Sequence, residues 1–160
     1  DAEKINQAVD DLDRTIKQIR QSIYALTTPE NEGVSLRRRV MHEVEGFTSL
    51  LGSTPSITFE GPVDSMTSDR ETTQVVAALR ELLSNAVRHA EASSVSVVLQ
   101  IVDHHLALTV SDNGIGIPET VSRSGLDNLR KRAEQMGGSF ETTRRFPTGT
   151  QARWMMPLKN

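Results

Sequence analysis

The chain has 160 residues, of which 36% are hydrophobic and 24% are charged, a composition typical of a soluble globular protein with one core and an appendage. Its net charge of −3 gives no electrostatic case for binding nucleic acid or an anionic membrane, and no apolar run is long enough to cross a bilayer. The lack of cysteine excludes disulfides, thiolate zinc sites and a catalytic thiol, which is consistent with a reducing, cytoplasmic location. Because the chain does not begin with methionine, we expect it to be a piece of a longer protein.

An unbroken heptad pattern occupies residues 1–26. Its apolar positions are Ile5, Val9, Leu12, Ile16, Ile19, Ile23 and Leu26. So regular a stripe predicts a helix that packs along another helix in a coiled coil or bundle, although a helix lying on its own domain also presents an apolar stripe. Pro29 ends the pattern, and residues 29–34 are rich in turn formers. We therefore expect a bundle helix at 1–28, a hinge, and a second domain at 35–160.

Helical and strand patterns follow one another through the second domain. The predicted elements are, in chain order, a helix at 35–51, a strand at 56–61, a helix from 69 to about 92, strands at 94–102 and 106–111, a helix at 125–136, and strands at 139–145 and 150–156. Ser68 and Glu71 have the spacing of a capping box, and Asp103-His104 is a hairpin turn. Helices grouped around a mostly antiparallel sheet of about five strands predict an α+β fold of two layers.

A polar stripe runs along the helix that begins after Ser68. Its members are Glu81, Asn85, Arg88 and His89, opposite an apolar arc of Leu79, Leu82, Leu83, Ala86 and Ala90. A solvated helix surface has the same pattern, so the stripe alone does not indicate a site.

A carboxylate that points into the core is the first indication of a ligand. Continuing the strand period past Val110 aims Asp112 inward, where a carboxylate is costly unless it is hydrogen-bonded. Amides of its own turn or the amino group of a ligand are suitable donors, although Asp-Asn-Gly turns are also common without any function. Gly114 and Gly116, followed by Pro118, leave room for a flat molecule to approach the backbone.

The helix predicted at 125–136 offers an anion site at its start. Ser124 is expected to be the N-cap residue, and free amides at 125–128 would face a phosphate. An ordinary capped helix has the same sequence pattern.

Four stretches taken together resemble a known superfamily. Residues 81–85, 112–117, 124–138 and 147–157 resemble, in this order, the N, G1, G2 and terminal glycine boxes of the GHKL ATPases, whose Bergerat fold is a two-layer α/β sandwich. Within the superfamily they are most similar to sensor histidine kinases of the nitrate/nitrite-sensor (HisKA_3) class, which includes actinobacterial haem-GAF dormancy sensors.

The resemblance implies a site for ATP and Mg²⁺. Asp112 would accept a hydrogen bond from the adenine amino group, Asn85 would ligate Mg²⁺, and Glu81 would act near the metal or help to activate the incoming nucleophile. The other implied ATP contacts are Arg88, His89, Gly114, Gly116, Ile117, Gly125, Leu126, Asn128 and Thr150. The resemblance also implies a homodimer in the full-length kinase and a response regulator as partner, without contact to nucleic acid or membrane.

Two features depart from the family pattern. Only about seven residues, 118–124, separate the G1 and G2 boxes, so the ATP lid is short and nucleotide affinity is expected to be modest. The helix at 1–26 has no histidine, and His42, His104 and His105 lie outside any phosphoacceptor context. The chain is therefore expected to bind ATP without containing the histidine that the kinase phosphorylates.

The sequence thus predicts the catalytic, ATP-binding fragment of a protein-histidine kinase. Two alternatives remain open at this point: a GHKL ATPase of the chaperone or topoisomerase kind, in which Glu81 would activate water, and a nucleotide-binding regulatory module of the anti-sigma type.

Overall fold

The computed structural model describes residues 2–27, 35–116 and 123–159. The chain divides into two units, residues 1–34 and 35–160. The predicted hinge at 29–34 lies outside the described residues. None of the helices in the described ranges has the length and hydropathy that a bilayer crossing requires.

The first unit contains one long helix, α1 (Ala2–Thr27). Its heptad side chains are exposed over the part where side chains are described: Ile5, Val9, Leu12, Ile16 and Ile19 are each between 46% and 62% accessible. A helix of this length with one exposed apolar stripe has the pattern of a coiled-coil strand.

The second unit has the mixed α+β architecture that the sequence predicted. Its helices are α2 (Leu36–Leu51), α3 (Val63–Met66), α4 (Asp69–Asn85) and α5 (Arg123–Gln135), and its strands are β1 (Ser56–Glu60), β2 (Val95–Val102), β3 (His105–Asp112), β4 (Ser139–Arg144) and β5 (Thr150–Pro157). The short α3 was not predicted, because a single turn leaves no periodic pattern.

The five strands form one sheet in the order β1-β2-β3-β5-β4. β1 runs parallel to β2, and all other neighbours are antiparallel. The predicted hairpin joins β2 to β3 through Asp103 and His104, whose φ angles of 49° and 58° match a two-residue turn with both central residues left-handed. β3 is the central strand, so its carboxyl end lies in the middle of the row of strand ends on one side of the sheet.

The core lies between the sheet and the helices. Trp154 on β5 is fully buried, and its Nε1 donates to the carbonyl of Leu129 on α5 at 3.1 Å, which fixes that helix against the sheet. Leu36 and Val40 of α2 and Leu79 and Leu83 of α4 are buried in the same cluster. Burial of one face of each helix against the sheet is what holds the second layer in place.

A charged pair joins the two long helices of this layer. Arg80 of α4 donates from Nε and Nη2 to the two carboxylate oxygens of Glu43 on α2, at 2.5 and 3.1 Å. This hydrogen bond raises the pKa of Arg80, because it favours the charged guanidinium.

The start of α4 agrees with the prediction and its end does not. Ser68 and Glu71 form the reciprocal capping box, with Ser68 Oγ accepting from the Glu71 amide. The helix was predicted to continue to about residue 92, but α-helical geometry ends at Asn85 and one π-helical turn, Ala86–Ala90, follows. The π-helical segment is only five residues long, which is too short for its different period to change the apolar pattern.

Candidate nucleotide-binding site

Asp112 lies at the carboxyl end of the central strand, with its side chain turned inward as predicted. It is 7% exposed, and it pairs with Val95 on β2 and Thr150 on β5. Its Oδ1 accepts a hydrogen bond of 2.9 Å from the amide of Gly114. The turn itself therefore supplies one of the donors that a buried carboxylate requires, and the carboxylate has further lone pairs for a second donor.

Asn113 attaches this corner to the start of β2. Its Oδ1 accepts from the amides of Ser93 and Ser94 at 3.0 and 2.9 Å, and its Nδ2 donates to Ser93 Oγ at 2.9 Å. The sequence indicated only that an Asp-Asn-Gly turn was present. It gave no sign of this role, because the partners of Asn113 lie about 20 residues away along the chain.

The turn between β4 and β5 holds the same corner from the other side. Arg145 Nη1 donates to the carbonyl of Asp112 at 3.0 Å, and Thr148 Oγ1 donates to the carbonyl of Asn113 at 3.2 Å. Gly149 has a φ of 116°, and a Cβ there would overlap the carbonyl oxygen of Asp112. Only glycine lets the two segments come this close. Arg145 was missed in the sequence, since no local motif marks it. Thr148 lies within the stretch 147–157 but was not singled out there.

A small cleft opens beside Asp112. Its lining is apolar apart from three polar residues, and consists of Leu82, Asn85, Ala86, Val110, Asp112, Thr150 and Ala152. Gly116 lies close to Thr150. Its φ is 87°, and a Cβ added to it would be 3.7 Å from Thr150 Oγ1. An apolar slot with one buried carboxylate in its wall suits a flat heterocycle that carries an amino group.

A second cluster forms where α4 faces the first turn of α5. Glu81 and Asn85, both half-buried, approach Gly125 so closely that a Cβ there would lie 2.5 Å from Glu81 Oε1 and 3.7 Å from Asn85 Oδ1. Glu81 and Asn85 belong to the polar stripe of α4, so this part of the stripe faces Gly125 of α5 and is not simply a solvated helix surface. Asn85 borders both the cleft and this cluster.

The oxygens of this cluster agree with what Mg²⁺ prefers. The described residues hold no group of three or more His, Asp or Glu side chains that could bind a metal by itself. Mg²⁺ usually takes one or two protein oxygens and completes its shell with phosphate and water. The carboxylate of Glu81 and the amide oxygen of Asn85 fit such a site.

Helix α5 begins earlier than predicted. Its first residue is Arg123, so Ser124 lies inside the first turn and is not the N-cap. The first turn of α5 therefore includes Ser124 and Gly125, and amides in the first turn of an α-helix have no acceptor within the helix. The cradle expected at 125–128 stays a prediction.

The remaining predicted contacts are placed less centrally. Arg88 lies exposed on the π-helical turn, and Asn128 is exposed on α5. Neither contributes to the described lining of the cleft. The backbone of His89 is on the same turn as Arg88, but its side chain lies outside the described part of the structure. Ile117 and most of the predicted lid are also outside the described residues.

Comparisons with known proteins agree with this geometry. Residues 71–160 match the family model of the histidine kinase-, DNA gyrase B- and HSP90-like ATPases. The chain is 28% identical over 152 residues to the nitrate/nitrite sensor protein NarX of Escherichia coli, covering 93% of this chain and 25% of that protein. It is 31% identical over 166 residues to the sensor histidine kinase NarS of Mycobacterium tuberculosis, covering 98% of this chain and 37% of that protein.

The fold is also found among solved structures. The histidine kinase domain of the blue-light activated histidine kinase from Erythrobacter litoralis EL346 aligns with a TM-score of 0.61 at 24% identity, covering 78% of this chain and 61% of that chain. The chain spans well under half the length of the sensor proteins named above. The resemblance to the nitrate/nitrite-sensor class is confirmed by these matches, while the haem-GAF subclass stays a prediction. The chain belongs to the family of histidine kinase-, DNA gyrase B- and HSP90-like ATPases.

Proposed function

We propose that this chain is the ATP-binding catalytic part of a cytoplasmic two-component sensor histidine kinase. In the proposed reaction the bond between the γ-phosphorus of ATP and the β–γ bridging oxygen breaks, ADP leaves, and the γ-phosphoryl group bonds to an unprotonated ring nitrogen of a histidine on a helical bundle. The group then passes to an aspartate of a response regulator. The observation that carries the proposal is the buried carboxylate of Asp112 in the wall of an apolar cleft, next to the oxygens of Glu81 and Asn85.

The cleft would select adenine through its exocyclic amine. Asp112 already accepts from the Gly114 amide, and its carboxylate can accept a second hydrogen bond from an amino group placed in the slot. Guanine would present a carbonyl oxygen in the corresponding position and meet a carboxylate, which cannot donate. Val110 and Ala152 would contact one face of the ring, because they are cross-strand partners that line the cleft next to Asp112.

The phosphates would lie towards α5 and the polar side of α4. The amide of Gly125 is at the positive end of the α5 dipole, and Arg88 is exposed on the adjoining π-helical turn. Mg²⁺ held by Asn85, with Glu81 beside it, would neutralise charge on the phosphate oxygens. We assign Glu81 the further task of orienting the incoming imidazole. Phosphoryl transfer depends mainly on positioning and charge neutralisation, so the site needs no covalent nucleophile.

The N-terminal segment would connect this site to its substrate. We propose that residues 1–28 form the second helix of the dimerisation bundle, that 29–34 act as the hinge, and that the full-length kinase is a homodimer. The exposed heptad stripe of α1 supports this assignment, because a lone helix gains little from such a stripe in water. Residues 1–28 contain no histidine, so the acceptor must be supplied by another segment.

The test combines this chain with a separately prepared helix pair that carries an acceptor histidine. With Mg²⁺ and ATP labelled at the γ-phosphorus, a kinase transfers label to the histidine in an acid-labile, base-stable linkage. Steady release of phosphate by the chain alone, without transfer, would instead support the hydrolytic ATPase. Failure to bind a fluorescent ATP analogue with Mg²⁺ would support the regulatory module.

A further inference from the structure

We propose that Arg145 is a positioning residue for purine recognition, acting through the backbone of Asp112. The inference rests on the proposed ATP site, since it concerns the residue assigned there to the adenine amine. Arg145 is absent from the described lining of the cleft and acts on the nucleotide only through Asp112.

Arg145 makes two hydrogen bonds, one that closes its own turn and one to the backbone of Asp112. Its backbone amide donates to the carbonyl of Gly149 at 3.0 Å, which sets the shape of the β4–β5 turn. Its Nη1 then donates to the carbonyl of Asp112 at 3.0 Å. A bond from a guanidinium is charge-assisted and therefore stronger than one between neutral groups. One residue thus links the turn to the end of β3.

The same corner has two further restraints. Asn113 accepts from the amides of Ser93 and Ser94 before β2, and Thr148, on the same turn as Arg145, donates to the carbonyl of Asn113. The Asp112–Asn113 backbone is therefore held between the start of β2 and the β4–β5 turn. Because the aspartate side chain is short, a small rotation of this backbone redirects the carboxylate relative to the cleft, and geometry at a binding group has to be kept within about half an ångström.

The chain contains a matched control one residue away. Arg144 is the last residue of β4, is exposed, and pairs with Thr150 in the strand register. Removing either arginine changes the net charge by the same amount at adjacent positions of the chain. A difference between Arg144→Ala and Arg145→Ala therefore reports the contact with Asp112 and cancels the long-range electrostatic effect.

The experiment measures nucleotide affinity by calorimetry on the whole chain, using Mg²⁺ with a non-hydrolysable ATP analogue. We expect Arg145→Ala to weaken binding by about 2- to 10-fold, the factor that corresponds to one net hydrogen bond. Arg144→Ala should stay within about twofold of wild type, and Arg145→Lys, which retains a cationic donor, should recover most of the loss. Thermal unfolding of each variant separates this effect from a loss of fold.

A second readout needs no nucleotide. In the free protein, the amide resonance of Gly114, which bonds to Asp112 Oδ1, should move in Arg145→Ala and stay in place in Arg144→Ala. Equal affinities of the two alanine variants, or a Gly114 resonance that stays fixed in Arg145→Ala, would overturn the inference. Lack of nucleotide binding by the wild-type chain would instead overturn the proposed ATP site. If the Gly114 resonance still moved in Arg145→Ala, the contact of Arg145 with the Asp112 backbone would stand and its role in purine recognition would be overturned.

Discussion

Among the side chains that the structure describes, two carboxylates are buried, Glu71 and Asp112, and their surroundings differ. Glu71 is 4% exposed, and both of its oxygens accept from backbone amides: Oε1 from Ser68 at 2.9 Å and Oε2 from Lys159 at 3.1 Å. Asp112 is 7% exposed, and it borders a cleft in addition to accepting from Gly114. Burial alone therefore does not mark a functional acid.

The two carboxylates differ in the hydrogen-bond donors available to them. Glu71 connects the N-terminus of α4 to the end of the chain, so its hydrogen bonds are used entirely within the fold. Asp112 sits at the end of a central strand, where the chain leaves the sheet and a cleft can form beside it. An acid with protein donors on both oxygens stabilises the fold, whereas an acid facing a cleft can recognise a ligand.

The largest expected effect is the loss of binding in Asp112→Asn. The asparagine can still accept from the Gly114 amide, so the fold should persist, but the carboxylate that we propose as the acceptor for the adenine amine is gone. Calorimetry with Mg²⁺ and an ATP analogue should show at least about a 100-fold weaker affinity, close to 3 kcal/mol. Asp103→Asn is the control, since it removes an exposed carboxylate from the turn at the other end of β3. Unchanged affinity in Asp112→Asn would remove the distinction between the two acids.

The complementary change, Glu71→Ala, should affect stability and leave binding unchanged. Two amides lose their acceptor, and we expect the free energy of unfolding to fall by about 2 kcal/mol, measured from urea denaturation. Asp69→Ala is the matched control, because Asp69 is an exposed acid in the same first turn. A weaker affinity of the folded Glu71→Ala protein for ATP would show that Glu71 also serves the site.

Asn113 should combine both kinds of effect, since it ties the functional corner to the fold. Asn113→Ala loses the hydrogen bonds to Ser93 and Ser94. Because the side chain of Asn113 is exposed, we expect the free energy of unfolding to fall by only about 1 kcal/mol. We expect the affinity for the ATP analogue to become about fivefold weaker. Asn113→Asp keeps the acceptor oxygen and should recover most of both losses. A stability loss without any change in affinity would mean that the corner does not orient Asp112.

Much of this could be predicted from the sequence because the signals are local. The strand period placed Asp112 inward, and the spacing of Ser68 and Glu71 predicted the cap of α4. What the sequence missed depends on residues far apart along the chain. Arg145 reaches a carbonyl 33 residues away, which no periodicity encodes.

Errors at element ends have a related cause. The π-helical turn after Asn85 and the helical geometry already present at Arg123 both leave the apolar pattern unchanged. Such boundaries depend on hydrogen bonds, which composition does not determine. The inward carboxylate of Asp112 was therefore easier to predict from the sequence than the ends of the two helices beside it.

The smallest effect on stability is expected at Gly125, where the change should separate transfer from binding. In Gly125→Ala the new Cβ displaces the carboxylate of Glu81, which is the end of a flexible side chain, so the helix tolerates the change. Adenosine affinity should stay within about twofold, because Asp112 and its cleft are untouched, while transfer of label to the acceptor histidine falls about tenfold through the misplaced Glu81.

Gly46→Ala on α2 is the control, since a Cβ there meets nothing within 4 Å. Glu81→Asp in the Gly125→Ala background shortens the acid by one methylene and should restore part of the transfer. Transfer at the wild-type rate in Gly125→Ala would show that Glu81 need not occupy this place, and would leave Asp112 as the one buried or half-buried acid on which the proposed reaction depends.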